Sequence, residues 1–251
     1  MSAAATALQA TPILDVACIG KRYGGIVAVE DVSFQVRRGI ATGLIGPNGA
    51  GKTTIFDLLT GFQRADKGAI SFEGRLITNL AAHKISRLGM GRTIQSVLGF
   101  AKLSVIENLR IAEGYSASAV VSSGEADERI ARALALVEMN EHAQKLVGSL
   151  SYGQRKLVEL AMVLVQQPKL ILLDEPVAGV NPGLAERLGE ILSRLVASVV
   201  SLLLVEHNIS FVTRLCTHVV VMAAARILTA GTPDEIMKNP QVLEAFLGSD
   251  R

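Results

Sequence analysis

The chain has 251 residues, 49% of them apolar, enough to bury one sizeable core and compatible with a single large α/β domain or a domain carrying an inserted lobe. Lys and Arg number 25 against 23 Asp and Glu, so charge gives no argument for a nucleic-acid surface. No window approaches the ~20 uninterrupted apolar residues of a spanning helix, and the sequence offers no segment that crosses a membrane.

Residues 1–12 are rich in Ala, Ser and Thr, with neither a basic n-region nor a long apolar stretch, and read as a flexible tail instead of a signal peptide. Short β-rich runs at 13–19, 28–36 and 69–72, set apart by turns such as Gly24-Gly25 and Arg38-Gly39, predict an antiparallel sheet, with a further strand at 41–45 beside it. From about 103 to 147 the pattern turns helical. Ser104-Val105-Ile106-Glu107 is a capping box, and Ile130, Leu134 and Val137 recur at helical spacing. The Ser- and Ala-rich stretch 116–124 predicts a loop between two of these helices. Two strand–helix alternations follow, with apolar strands at 170–173 and 199–205 that show no alternation, so both faces are expected to be buried. Cys18 and Cys216 each lie in an apolar run and are expected to be buried, unbridged thiols, which suits a reducing cytoplasm.

The stretch Leu44-Ile45-Gly46-Pro47-Asn48-Gly49-Ala50-Gly51-Lys52-Thr53-Thr54 is a strand that breaks into a glycine-rich loop and then a helix. Gly46, Gly49 and Gly51 let the backbone wrap an anion with several N–H groups turned inward, and the helix start adds the positive end of its dipole. Lys52 supplies a point charge for the outer phosphates and Thr53 a hydroxyl for Mg²⁺, matching G-x-x-x-x-G-K-[ST]. Further on, Leu170-Ile171-Leu172-Leu173-Asp174-Glu175-Pro176 is an aliphatic strand ending in two carboxylates, at the edge where open α/β sheets bind ligands. Asp174 is placed to hold Mg²⁺ and Glu175 to polarise the water that attacks a γ-phosphate.

Leu150-Ser151-Tyr152-Gly153-Gln154 opens a helix for which Ser151 is a natural N-cap. Phosphate loop, this pentad and the double-carboxylate strand, in that order, resemble the ATP-binding cassette (ABC) ATPases, whose signature is Leu-Ser-Gly-Gly-Gln. Tyr152 in its third place is a variant associated with the ATPase subunits of branched-chain amino acid importers. On this resemblance Gln95 in Arg92-Thr93-Ile94-Gln95 matches the Q-loop glutamine, which reaches Mg²⁺ and the attacking water. His207 in Val205-Glu206-His207-Asn208 matches the switch histidine, Tyr23 the aromatic that stacks on adenine, and Ala178-Gly179-Val180-Asn181-Pro182 the D-loop. The tail, with Gly231-Thr232-Pro233 and Ala245-Phe246-Leu247-Gly248, is similar as well.

The resemblance runs from about residue 13 to 248 and implies one ABC ATPase domain. A P-loop NTPase core with an antiparallel β subdomain would occupy 13–95 and 165–248. An inserted α-helical subdomain carrying the signature would occupy 96–164. It implies ATP and Mg²⁺ bound by Tyr23, Gly46, Asn48, Gly49, Gly51, Lys52, Thr53 and Thr54, with Ser151, Gly153 and Gln154 supplied from a second ATPase subunit, alike or different. It implies catalysis by Glu175, His207 and Gln95, and metal binding by Thr53, Gln95 and Asp174. The implied setting is peripheral, on the cytoplasmic face of the inner membrane, with transmembrane permease subunits as partners and a solute-binding protein acting indirectly. Arg92-Thr93, Tyr152 and the tail suggest the larger ATPase subunit of such an importer, a class that includes urea and amide uptake. A soluble ABC ATPase would usually carry tandem cassettes or a long coiled-coil insertion, and a P-loop kinase would leave the Ser151 pentad unexplained. Three places depart from the family pattern: Ile40 where Glu is usual, Ile94 where an aromatic is common, and Ala223-Ala224-Ala225 in place of a glycine-containing turn.

Overall fold

The computed structural model describes residues 12–93, 99–115 and 122–247. Two long strands open the chain, β1 (Pro12–Tyr23) and β2 (Ile26–Arg37), and a short buried strand, β3 (Ala41–Ile45), leads through the glycine loop into helix α1 (Lys52–Leu59). Strands β4 (Lys67–Phe72) and β5 (Arg75–Leu76), helix α2 (Ala82–Arg87) and strand β6 (Met90–Arg92) follow. Three helices come next, α3 (Val105–Glu113), α4 (Ser123–Leu136) and α5 (Tyr152–Leu164). The remainder alternates: β7 (Leu170–Asp174), α6 (Pro182–Ala197), β8 (Ser201–Val205), α7 (Ile209–Leu215), β9 (His218–Ala223), β10 (Arg226–Gly231), α8 (Pro233–Met237) and α9 (Pro240–Leu247).

The strands form an antiparallel sheet in the order β2-β1-β4-β5 and a six-stranded sheet in the order β10-β9-β3-β8-β7-β6. In the second sheet every pairing is parallel except β9 with β10. The strand before the glycine loop therefore lies between β8 and β9, inside the parallel sheet and not in the antiparallel one. Its neighbours explain why the aliphatic runs do not alternate with polar residues. Leu170, Leu172, Leu203 and Val205 face a core shared with α1 and the antiparallel sheet. Ile171, Leu173, Leu202 and Leu204 face a second core shared with α5, α6 and the helical lobe. Each such side chain gains roughly 1.5–3 kcal/mol by leaving water, so both faces demand apolar residues.

Helix starts follow their caps. Glu107 accepts the Ser104 amide at 2.7 Å, completing the expected capping box of α3. A second box was not read from the sequence: Ser122 and Glu125 start α4, so Ser123 and Gly124 are helical and not part of the expected loop, while 116–121 lie outside the described residues. Strand β8 begins two residues later than expected, because Val199 is exposed, with φ 69° in the turn that ends α6. Cys216 is buried as expected, and burial pushes its thiol up to about 12. Cys18 is not. The β1–β2 register slips between Val16 and Ile19, and the bulge turns Cys18 outward at φ 51°, its amide donating to Ser33 Oγ at 2.7 Å.

The Ala223-Ala224-Ala225 departure is a two-residue hairpin turn between β9 and β10, with φ 46° at Ala224 and 65° at Ala225. Such turns favour Asn and Gly, and the left-handed region costs a residue with a Cβ on the order of 1 kcal/mol. The turn is tied to β2 by the Glu30 amide, which donates to Ala225 O at 2.7 Å.

Candidate active site

At two of its glycines the loop runs too close to other backbone for a side chain. A Cβ on Gly46 would lie 2.1 Å from Met222 O, and one on Gly51 would lie 2.4 Å from Ala28 O, with both residues at positive φ. Asn48 and Gly49 form the exposed rim. Lys52, the first residue of α1, is buried and folds back on the loop, donating to Gly46 O at 2.8 Å and Pro47 O at 2.9 Å. Burial lowers its pKa, while the carboxylates of Glu175 and Asp174 oppose the shift. A partly desolvated ammonium in a curl of backbone amides is suited to phosphate oxygens. Thr53 stands exposed beside it and Thr54 half-buried.

Asp174 ends β7, 5% exposed, and its amide donates to Thr93 Oγ1 at 3.3 Å. Burial raises its pKa against the pull of Arg92, and Glu175 and Asp57 add to the rise. Arg92, at the end of the adjacent β6, reaches Asp174 Oδ2 at 3.2 Å, Asp57 Oδ1 at 2.6 Å and Thr60 Oγ1 at 3.2 Å. Its guanidinium sits 5.5 Å and 5.7 Å from the ring centres of Phe56 and Phe62. Arg92 thus ties β6, α1 and β7 together. The sequence reading used it only as a marker of subunit type, since the ladder that places it beside β7 is a long-range pairing.

Glu175 has φ 48°, a left-handed conformation that a non-glycine residue holds only under constraint. Its amide donates to Val205 O at 3.0 Å, and Lys156 Nζ from α5 donates to its carbonyl at 3.4 Å. Its Oε1 lies 3.1 Å from His207 Nε2. Glu206 was also missed. Its buried carboxylate accepts the amides of Val177 at 2.9 Å, His207 at 3.0 Å and Asn208 at 3.2 Å. A Glu directly after the aliphatic run 202–205 was the available signal.

Lys52, Asp174, Glu175 and His207 therefore meet at one edge of the parallel sheet, while the pentad faces another hollow. Ser151 caps α5, its Oγ accepting the Gln154 amide at 3.3 Å, and Gln154 Oε1 accepts the Ser151 amide at 3.0 Å. Gln154 is spent on the cap, and its Nε2 lies 2.9 Å from His142 Nε2. A Cβ on Gly153 would come 2.1 Å from Leu184 Cδ2, so glycine there serves packing against α6. The Tyr152 ring covers Gly179, and Asn181 caps α6 by accepting the Leu184 amide at 2.9 Å. Ser151 and Gln154 line a 490 Å³ hollow with Asn181 and Arg187, and no residue of the glycine loop borders it. Tyr23 is 43% exposed at the end of β1, with Lys21 Nζ 5.4 Å from its ring centre. Gln95 lies outside the described residues.

Residues 29–178 match the family described as ABC transporter. The chain belongs to that family. Residues 226–251 also match the branched-chain amino acid ATP-binding cassette transporter family. BraF of Pseudomonas aeruginosa, a high-affinity branched-chain amino acid transport ATP-binding protein, is 37% identical over 250 residues, covering 94% of this chain and 98% of BraF. A probable branched-chain amino acid transport ATP-binding protein, LivG of Archaeoglobus fulgidus, is 38% identical over 246 residues, with 94% and 96% covered. A crystal structure of the ADP conformation of an ATP-binding cassette of an ABC transporter superposes with TM-score 0.88 at 32% identity, covering 95% of this chain and 99% of that one. The chain has the ABC ATPase fold, as the sequence led us to expect.

ABC ATPases bind nucleotide, and the buried Lys52 ammonium beside the glycine-loop amides suits phosphate oxygens. Among the described residues no cluster of three His, Cys, Asp or Glu side chains could hold a metal ion by itself. Asp174 can supply one anionic ligand, and phosphate oxygens with the Thr53 hydroxyl can supply others.

Proposed function

We propose that this chain is the Mg²⁺-dependent ATPase subunit of an importer for branched-chain amino acids or a related small polar solute. It would work peripherally, on the cytoplasmic face of the membrane against permease subunits. What supports the reading is one contact, Glu175 Oε1 to His207 Nε2 at 3.1 Å, beside the Lys52 cradle. The relatives' names supply the solute class.

On this reading Lys52 exchanges its two loop carbonyls for β- and γ-phosphate oxygens of ATP, and the loop amides from Gly46 to Gly51 hold the rest of the chain of phosphates. Tyr23 lies against adenine. Thr53, Asp174 and Gln95 would hold Mg²⁺, which when bound neutralises charge on the outer phosphates. Glu175 takes a proton from the water as its oxygen attacks the γ-phosphorus, and the bond to the ADP oxygen breaks. His207 holds the Glu175 carboxylate in place and presents an N–H toward the departing phosphate. Ser151 and Gly153 face the γ-phosphate held by a second ATPase subunit, so each site is completed by its neighbour.

The test is reconstitution of the full chain with its co-encoded permease, second ATPase subunit and solute-binding protein in liposomes loaded with MgATP. Uptake of labelled leucine, isoleucine or valine that requires both the chain and ATP is the expected result. ATP hydrolysis without uptake of any of the three would remove the solute class from the proposal. Absence of MgATP hydrolysis would remove the ATPase itself.

A further inference from the structure

We infer that Glu206 is a positioning residue for hydrolysis, the side chain that sets where His207 stands relative to Glu175. The inference rests on the ATPase reading above and goes beyond it, because the Glu206 carboxylate bonds to backbone amides, at Val177, His207 and Asn208.

Two short backbone segments must be held in register for the Glu175–His207 contact to exist. One is the turn after β7, Glu175 to Ala178, which starts from a strained φ of 48°. The other is the segment leaving β8, Val205 to Asn208. Backbone alone gives them one tie, Glu175 N–H to Val205 O at 3.0 Å. Glu206 adds the second. One carboxylate oxygen accepts the Val177 amide, and the other accepts both His207 and Asn208 amides, at 2.9, 3.0 and 3.2 Å. Without Glu206 the Val177 amide, whose bond to it is buried, would have lost water for no partner, while the His207 and Asn208 amides sit in part-buried bonds. A carboxylate suits them because both oxygens only accept, whereas the glutamine amide would set an NH₂ against at least one N–H. Asn208 in turn caps α7 through the Phe211 amide at 3.0 Å, so the segment beyond His207 is anchored as well.

The experiment compares Glu206→Gln and Glu206→Asp in the full chain, alone and combined with His207→Ala, reading kcat, KM for ATP and melting temperature. Glu206→Gln is expected to lower kcat by about tenfold or more and leave KM within about twofold, since the phosphate cradle is untouched. Glu206→Asp, which keeps two accepting oxygens on a shorter stem, should recover part of the rate. With His207→Ala already present, Glu206→Gln should cost less than about twofold more, the signature of action through the histidine. Equal fold losses in both backgrounds, or an unchanged kcat, would overturn the inference and leave the ATPase reading standing. Wild-type turnover in His207→Ala alone would instead overturn the role assigned to the histidine, and this inference with it. If Glu206→Gln does not fold, amide exchange of the wild-type chain decides. The Val177, His207 and Asn208 amides should be protected, and fast exchange at all three contradicts the clamp.

Discussion

Arg92 and Asp174 form an ion pair of 3.2 Å between side chains that are 9% and 6% exposed, joining the end of β6 to the carboxylate at the end of β7. Burial still holds Asp174 above the ordinary carboxylate value, so the folded chain binds a proton there more readily than the unfolded chain. The stability from that proton is complete below the unfolded value of 3.8 and is lost as pH rises through the higher folded value. Asp174→Asn should therefore raise the melting temperature at pH 7 and change it little near pH 3, while abolishing MgATP hydrolysis. Arg92→Ala should do the reverse at pH 7, costing on the order of 3–5 kcal/mol by denaturant melt, because it leaves a buried carboxylate without its partner. An Arg92→Ala variant as stable as the wild type would show that the Asp174 carboxylate does not depend on Arg92.

Glu175→Gln keeps the size of the side chain and a hydrogen-bond partner for His207 but loses the base. Hydrolysis should fall by about 10²-fold or more while ATP binding persists, and nucleotide-loaded dimers should accumulate on gel filtration with ATP and Mg²⁺. Full turnover with no dimer would take Glu175 out of the role of base.

The hollow containing Ser151 is separate from the Lys52 cradle, so a site shared between subunits should complement. Lys52→Ala and Ser151→Arg each spoil both sites of a like dimer. A mixed dimer has one site broken twice and one intact, and mixing two inactive proteins should restore part of the ATPase rate if the chain pairs with itself. If its partner is a different ATPase subunit, the mixture stays inactive and the wild-type chain is strongly activated by that subunit. Wild-type activity of either single variant on its own would count against sharing altogether.

Phe100 is 56% exposed and lines a 530 Å³ groove with Ile111, Tyr115, Met162 and Arg92, between α2 and the helical lobe. It is not core. Phe100→Glu should leave the melting temperature within about 2 °C, as surface substitutions do, and weaken permease pull-down and ATP-driven uptake more than ATP hydrolysis. A large fall in melting temperature would assign Phe100 to packing instead.

The Ala224-Ala225 turn holds two Cβ-bearing residues in the left-handed region. Ala224→Asn with Ala225→Gly supplies the residues such a turn prefers and should stabilise by about 1 kcal/mol, raising the melting temperature by roughly 2–4 °C for a chain of this size. A lower melting temperature would mean that the tie from Glu30 to Ala225 depends on alanine there.

Much of this protein is dictated locally and can be read from the chain. The strand–loop–helix around Lys52 follows from glycines at fixed spacing, the starts of α3 and α5 from Ser104 with Glu107 and Ser151 with Gln154, and the buried strands from unbroken aliphatic runs. In each case the interaction that matters spans only a few residues, so composition and spacing carry it. Cys18 and Val199 escaped because a bulge and a turn are decided by the register of a partner strand and by the end of a packed helix. Arg92 and Glu206 escaped for a related reason. A charged side chain becomes a tie only when the sheet order β3-β8-β7-β6 brings Asp174 beside one and Val177 beside the other, 82 and 29 positions away in sequence. Such pairings form between segments with no local signal of each other, because what aligns them is the burial of two cores on opposite faces of one sheet.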